Sequence, residues 1–338
     1  MTNEFYNSEN TFYDFNSLSN VEQKRIGAKK LTHQYTMNNH FKFGYSESGW
    51  FVNPNGTENE RWLCEYGSCK IRPSNLVDEC EYAAKYILDT NDEAPNIMLS
   101  GGAESEIVLR SFLSIGAKSN IKVSIMQYED NLNIHDISFG IAFCEQHGVK
   151  YDIFKLDLEH FLYNGVGLEY ADRTLCCTPQ LLPAMWLADQ LDGLPILGSG
   201  EPYIKRDDME DPDSTWTFQE KERIQSWYRH FLIQDRPAIP GFFQYTPGIM
   251  YMFLTHPEIK TLVSNEDERK QSSVYTKSNV YRAYWPDMAY RKKASGFEHH
   301  RASEASDRLR EYLENRFPHY DRAYEIEYSK FLGRLYNT

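Results

Sequence analysis

The chain has 338 residues, 25% of them charged and 41% hydrophobic, a composition ordinary for a globular protein and long enough for two domains or one large one. A net charge of −13 argues against broad adhesion to nucleic acid or to anionic membranes. No apolar run is long enough to cross a bilayer, and the opening MTNEFYNSEN lacks the basic-then-apolar pattern of a signal peptide, so a cytoplasmic enzyme is the expectation.

The first forty residues are polar and rich in Asn, Ser and Tyr, which predicts a loose start and a short helix near Val21–Lys30. From Phe41 to Cys69 aromatic and polar residues alternate, and Asn53-Pro54-Asn55-Gly56 is a turn signal. A small antiparallel sheet is expected there, then a helix over Asn75–Leu88. Cysteines fall at 64, 69, 80, 144, 176 and 177, an irregular spacing that makes no disulfide framework. Cys64, Cys69 and Cys80 lack the second matched pair of a zinc site, so reduced and partly buried thiols are expected.

From Asn96 strands and helices alternate. Ile97-Met98-Leu99, behind Pro95, reads as a buried strand, and Glu106–Leu113 as the first turns of a helix. Ile121–Tyr128 is a strand, Asn133–His147 a helix stopped by Gly148, Tyr151–Leu156 a strand, Pro179–Leu191 a helix, and Pro195–Gly198 a strand entering a glycine turn. Such alternation predicts an α/β fold with a mostly parallel, doubly wound sheet. Ligands of such sheets bind beyond the strand carboxyl ends, where Ser100 and Gly198 both lie.

Beyond Asp207 the chain turns charged, aromatic and mainly helical. Asp207–Asp213 reads as an exposed acidic loop, Gln219–Ile233 and Ser303–Arg316 as helices, and the tail from Tyr320 as one more surface helix. Three regions are therefore expected: a small β-rich part over 1–90, an α/β core over 91–206, and a helical part over 207–338 that completes the site.

The junction Ser100-Gly101-Gly102-Ala103-Glu104-Ser105 carries the chemistry. A strand, a small-residue turn and a helix N-terminus make an anion site. Backbone N–H groups there lack intrahelical partners, the helix dipole is positive, and two glycines admit a phosphate. Taken alone, the same residues describe a tight turn with Ser100 as a helix cap.

Several segments in order resemble the PP-loop ATP pyrophosphatases (the HUP-like fold). Ser100–Ser105 is similar to their S-G-G-x-D-S loop. Val123–Tyr128 and Tyr151–Phe154 match their second βαβ step, whose strand end, Met126 here, meets adenine through its backbone. Thr178–Met185 and Leu194–Glu201 look like the S-T-P helix and G-E-G-x-D-E turn of the synthetase domain of asparagine and β-lactam synthetases. Arg291–Phe297 resembles their R-x-K-x-G-F segment. The resemblance runs from Asn96 to Phe297, and Thr2 stands where the glutaminase domain of asparagine synthetases needs a cysteine.

The resemblance implies an ATP-dependent, AMP-forming ligase. It would activate a small-molecule carboxylate, release pyrophosphate, and pass the acyl group to ammonia or an amine, with ammonia free or drawn from a separate glutaminase subunit. Ser100, Gly101, Gly102 and Ser105 would hold phosphates, with Gly198, Ser199 and Gly200 facing them. Glu104 and Glu201 would bind Mg²⁺, and Lys293 or Lys292, helped by Arg291, would offset phosphoryl charge. Two departures stand out: Glu104 replaces an aspartate, and Glu201 is the sole carboxylate left in the acidic turn. Either a metal site has been rebuilt from two glutamates, or the chain is a nucleotide-binding regulator that has lost catalysis. A third reading is a PP-loop enzyme modifying a nucleobase or tRNA.

Other candidates have duller readings. Arg173 suits a phosphate but equally a surface ion pair. His299-His300 point to opposite sides of most backbones, and Cys176-Cys177 suit packing as well as sulfur transfer. Trp216, Trp227, Tyr281, Tyr284 and Trp285 are expected in helix packing, and some could wall a substrate.

Overall fold

In a computed structural model of the chain, the described residues are 4–6, 12–14, 40–45, 62–174, 176, 178–206, 214–264, 272–291, 297, 300–316 and 323–336. The helix expected near Val21–Lys30, the Asn53–Gly56 turn, the acidic loop Asp207–Asp213, Cys177, Lys292, Lys293 and His299 lie outside them.

Two antiparallel pairs come first. Strand β1 (Glu4–Tyr6) pairs with β2 (Phe12–Asp14), and β3 (Phe41–Tyr45) with β4 (Trp62–Tyr66). Phe41 and Phe43 are two residues apart, so both face inward, against Cys64 on the facing strand. Helix α1 (Leu76–Thr90) starts at Asn75, whose side chain accepts from the Asp78 N–H. Leu76, Cys80, Ala83, Ala84 and Ile87 form its buried stripe at helical spacing.

The central sheet follows the expected alternation. Strands β5 (Pro95–Met98), β6 (Lys122–Tyr128), β7 (Asp152–Leu156) and β8 (Leu194–Leu197) are all parallel, in the order β7-β6-β5-β8. Helix α2 (Ala103–Ser114) joins β5 to β6, and α3 (Ile134–His147) joins β6 to β7, stopping at Gly148. Helices α4 (Leu158–Tyr163), α5 (Val166–Thr174) and α6 (Leu182–Gln190) fill the crossover from β7 to β8. The expected Pro179–Leu191 helix opens with a 3₁₀ turn over Pro179–Leu181. Beyond β8, Ile239 adds a parallel bridge: its N–H donates to Pro195 O at 2.8 Å and its O accepts from the Leu197 N–H at 2.9 Å.

Both faces of this sheet are covered. Ile97 and Ile196 face a core with α1 and α2, whereas Met98 and Leu197 face Leu187, Ala188 and Phe231 on the other side. Burial on both faces explains why Ile97-Met98-Leu99 at the end of β5, and β8, read as unbroken apolar runs rather than alternating ones.

The remaining described chain is less helical than its sequence suggests. Strands β9 (Tyr203–Arg206), β10 (Trp216–Lys221) and β11 (Ala323–Glu327) form an antiparallel sheet in the order β11-β10-β9. Helices α7 (Ser226–Gln234), α8 (Pro247–Leu254), α9 (Pro257–Ser264), α10 (Lys277–Tyr284), α11 (His300–Arg316) and α12 (Tyr328–Leu335) complete the description. The segment expected as one helix over Gln219–Ile233 thus begins as a strand. Pairing on both sides of β10 overrides the helix preference of Gln219-Glu220-Lys221. The tail is not a surface helix either, because β11 precedes α12, and Phe331 of α12 stacks on Phe218 with centroids 3.8 Å apart.

Candidate active site

Strands β5 and β8 are neighbours and parallel, but the chain reaches β8 only after running out to β7 and back. Ligands of parallel sheets bind beyond the strand carboxyl ends at such a reversal of strand order. The turn after β5 is held tightly. Gly101 has φ +86°, and a Cβ there would sit 2.0 Å from the Asp136 carbonyl oxygen of α3. The Ser105 hydroxyl closes the turn, donating to Gly102 O at 3.0 Å and accepting from the Ser100 N–H at 3.2 Å. Gly102, not Ser100, is the N-cap of α2, and no side chain caps it. The Ser100 hydroxyl instead accepts from the Gly102 N–H at 3.3 Å.

The turn after β8 presses against this one. A Cβ on Gly198 would lie 2.6 Å from Ser105 N and 2.8 Å from the carbonyl carbon of Glu104, so the close approach requires glycine. The Ser199 hydroxyl donates to Pro240 O at 2.5 Å, and Gly200 backs onto the Gln244 side chain. The two segments singled out in the sequence, Ser100–Ser105 and Gly198–Glu201, therefore meet.

Their carboxylates meet as well, on a residue that sequence reasoning missed. Lys277, the first residue of α10, places its ammonium 2.5 Å from Glu104 Oε1 and 3.0 Å from Glu201 Oε1. Burial works against its charge, but the carboxylates of Glu201 and Glu104 outweigh that effect and hold its pKa above the ordinary lysine value. One turn further along α10 the Tyr281 side chain is buried, and its hydroxyl has no hydrogen-bond partner. Burial first, then the charges of Glu104 and Glu201, raise the pKa of this hydroxyl far above that of an ordinary tyrosine.

Arg291 stands behind the turn. Its Nη1 donates to Gly101 O at 2.6 Å, its Nη2 pairs with the buried carboxylate of Glu106, and its guanidinium lies 4.9 Å from the Phe139 ring centroid. Arg110 holds Glu106 from the other side, its Nε 2.8 Å from Oε1, and also reaches Asp287. Arg291 thus fixes loop backbone. Met126 sits near the end of β6, where its carbonyl accepts from Asn133 Nδ2 at 2.9 Å.

A second carboxyl lies behind Gly200. Glu220 on β10 is buried and accepts from Tyr66 at 2.7 Å, from Gln225 at 2.5 Å and from Gln244 at 2.5 Å. Burial pushes it up to about 7, against the pull of those hydrogen bonds and with the help of the Glu201 charge. Gln244 therefore joins this carboxyl to the floor of the Gly200 turn.

The other candidates fall elsewhere. Arg173 pairs with Asp189 at 3.4 Å on the α5–α6 surface. Cys64, Cys69, Cys80, Cys144 and Cys176 are in no disulfide, and four of them are buried. Trp216, Tyr281 and Trp285 pack in the main core.

The donor set suits magnesium held in company with phosphates. That ion takes one or two protein carboxylates and fills its remaining positions with water and substrate oxygens. Glu104 and Glu201 would be the two carboxylates that hold it, in the place where they now meet Lys277. Among the described residues no group of three or more His, Cys, Asp or Glu side chains gathers as a self-contained metal cage. None of the described helices is long and apolar enough to cross a membrane.

The parallel sheet, covered by helices and with its glycine turn at the strand reversal, defines an α/β fold. Among solved structures, the chain is similar to the NH3-dependent NAD synthetase from Campylobacter jejuni subsp. jejuni NCTC 11168 in complex with the nitrate ion. The two are 13% identical over 71% of this chain and 93% of that one, with a TM-score of 0.30, a likeness that adds nothing to what the topology shows. No protein-family model matches the sequence, and no curated protein does.

Proposed function

We propose that the chain is an ATP-dependent, AMP-forming ligase of the PP-loop kind, activating a small carboxylate for attack by ammonia or an amine. One observation carries the reading: two turns from neighbouring parallel strands bring an uncapped helix N-terminus and the carboxylates of Glu104 and Glu201 together at the strand carboxyl ends. The N–H groups of the first turn of α2, with the Ser100 and Ser105 hydroxyls, bind phosphate oxygens. Gly198 keeps the second turn close enough for Glu201 to face Glu104. Gly102 leaves room for the phosphates, whereas the missing side chains of Gly101 and Gly200 admit the Asp136 carbonyl and the Gln244 side chain and so set the two turns in place; the end of β6 at Met126 faces the base.

ATP with Mg²⁺, held by Glu104 and Glu201, supplies an electrophilic phosphorus and a pyrophosphate leaving group. Arg291 keeps the Gly101 carbonyl turned away from the phosphates, leaving N–H groups to meet them. Lys292 and Lys293, which follow Arg291 in the sequence, are proposed as the cations that offset charge at the reacting phosphorus. Lys277 lends a further positive charge beside the carboxylates.

The test uses α-labelled ATP, Mg²⁺, ammonium and a panel of small carboxylates. Substrate-dependent AMP and pyrophosphate are expected, with Glu104→Gln and Glu201→Gln each lowering the rate about a hundredfold or more. ADP as the product, or full activity in both variants, overturns the assignment. The bridging position of Lys277 favours one alternative, a nucleotide-binding regulator. That reading predicts ATP binding without turnover on any carboxylate.

A further inference from the structure

We propose that Lys277 is a tethered counter-cation that closes the Glu104–Glu201 pair to free divalent ions until nucleotide arrives. The proposal rests on the nucleotide reading above for the identity of the arriving ligand. Its physical basis does not. The ammonium touches both carboxylates, at 2.5 Å and 3.0 Å, in a spot where all three side chains are mostly withdrawn from water. An ion entering there must displace a positively charged group that the protein itself supplies and that already touches both carboxylates.

A rooted cation differs from a diffusing one. It is present at every metal concentration, carries one charge rather than two, and leaves the pair with a residual single negative charge. That residue is too little to strip water from a hydrated divalent ion, which gives up its shell reluctantly. A metal escorted by a triphosphate brings its own oxygen ligands and needs less from the protein. The lysine thus selects the ion–nucleotide complex over the bare ion.

Tyr281 adds a second geometric observation, a buried hydroxyl that the bridged arrangement leaves without a hydrogen-bond partner. A carboxylate released from Lys277 can turn to accept from it. Lys277 and Tyr281 are four residues apart on α10, so both project from the same face of that helix.

The experiment measures Mn²⁺ binding by electron paramagnetic resonance in nucleotide-free wild type, Lys277→Gln and Lys277→Met. Glutamine retains a donor for the carboxylates and is the safer fold. Mn²⁺ should bind Lys277→Gln about tenfold or more tightly than wild type, and adding Glu104→Gln to that variant should abolish the gain. Equal affinity with and without the lysine, or a gain that survives Glu104→Gln, overturns the proposal. Should both single variants be recovered unfolded, refolding in Mn²⁺ decides: rescue by the ion supports a shared cation position, and no rescue overturns it. Binding of MgATP by wild type is measured separately. Absent ATP binding sinks the nucleotide reading alone, whereas unchanged Mn²⁺ affinity in a protein that binds ATP sinks the tethered-cation proposal alone.

Discussion

Two glycines in the turns after β5 and β8 separate fold from function at the scale of single residues. At Gly198 an added methyl meets backbone atoms of Glu104 and Ser105, at 2.8 Å and 2.6 Å, and neither can swing aside. At Gly102 the nearest atoms are the Ser100 hydroxyl at 3.3 Å and the Glu104 carboxylate at 3.5 Å, both at the ends of movable side chains. Gly198→Ala should therefore cost about 2–4 kcal/mol in urea unfolding and lose ATP binding with it. Gly102→Ala should cost less than about 1 kcal/mol yet, on the proposed ligase reading, weaken ATP binding, because its methyl would stand where that reading brings the phosphates. Equal stability losses in the two variants would contradict this geometry. The glycine turn was legible in the sequence because its chemistry is local: small residues, a strand before, a helix after. Lys277 was not, because its meaning depends on carboxylates 173 and 76 positions away, and nothing beside it in the chain announces them.

At the scale of elements, the strand β10 carries a carboxyl that the fold holds under protest. Glu220 titrates near 7 when folded and near the ordinary 4.5 when unfolded, chiefly through burial. Between those values the folded state binds more protons than the unfolded one, so stability from this group is complete below pH 4.5 and is lost as pH rises to 7. The span corresponds to about 3 kcal/mol. Buried His40 acts oppositely, since burial lowers it to about 3 and its contribution is lost as pH falls from 6.5. Comparing wild type with Glu220→Gln cancels the histidine term. Half a turn of the Gln225 amide would present its otherwise unpartnered Oε1 to the new amide, so the variant can be satisfied. Guanidinium unfolding at pH 5 and pH 8 should show Glu220→Gln gaining on wild type at the higher pH, and a constant difference would refute the assignment. The same strand shows why part of the fold was hidden. The α/β core announces itself through apolar runs and glycine stops, whereas β10 has the charged composition of a helix and becomes a strand through partners at 203–206 and 323–327. The tail was misread for the same reason, its strand register being fixed by residues a hundred positions earlier.

For the whole molecule, the question is whether residues 91–206 stand alone. Their sheet is complete only with Ile239, which lies outside them and extends it past β8. The face of the sheet that carries α2 packs against Leu76, Cys80 and Ile87 of α1, and the same core continues through Phe242, Ile249 and Phe253 to Phe331 and Leu335 near the end of the chain. On the opposite face, Met98 and Leu197 share a core with Phe41 and Phe43 of the early hairpin and with Tyr228 and Phe231 of α7. A fragment spanning 91–206 would expose both faces at once, losing about 1.5–3 kcal/mol for each large side chain uncovered, against a total stability of about 5–15 kcal/mol. That fragment should therefore show no near-ultraviolet circular dichroism and no cooperative melt. The full chain should unfold in one calorimetric transition whose van't Hoff and calorimetric enthalpies agree. A fragment that melts cooperatively, or a full chain with two resolved transitions, would show that the α/β core is an independent domain. The site would then be assembled by docking of α10, with Lys277 brought to the carboxylates as a separate event; a single transition means that the lysine and both carboxylates form together as the chain folds.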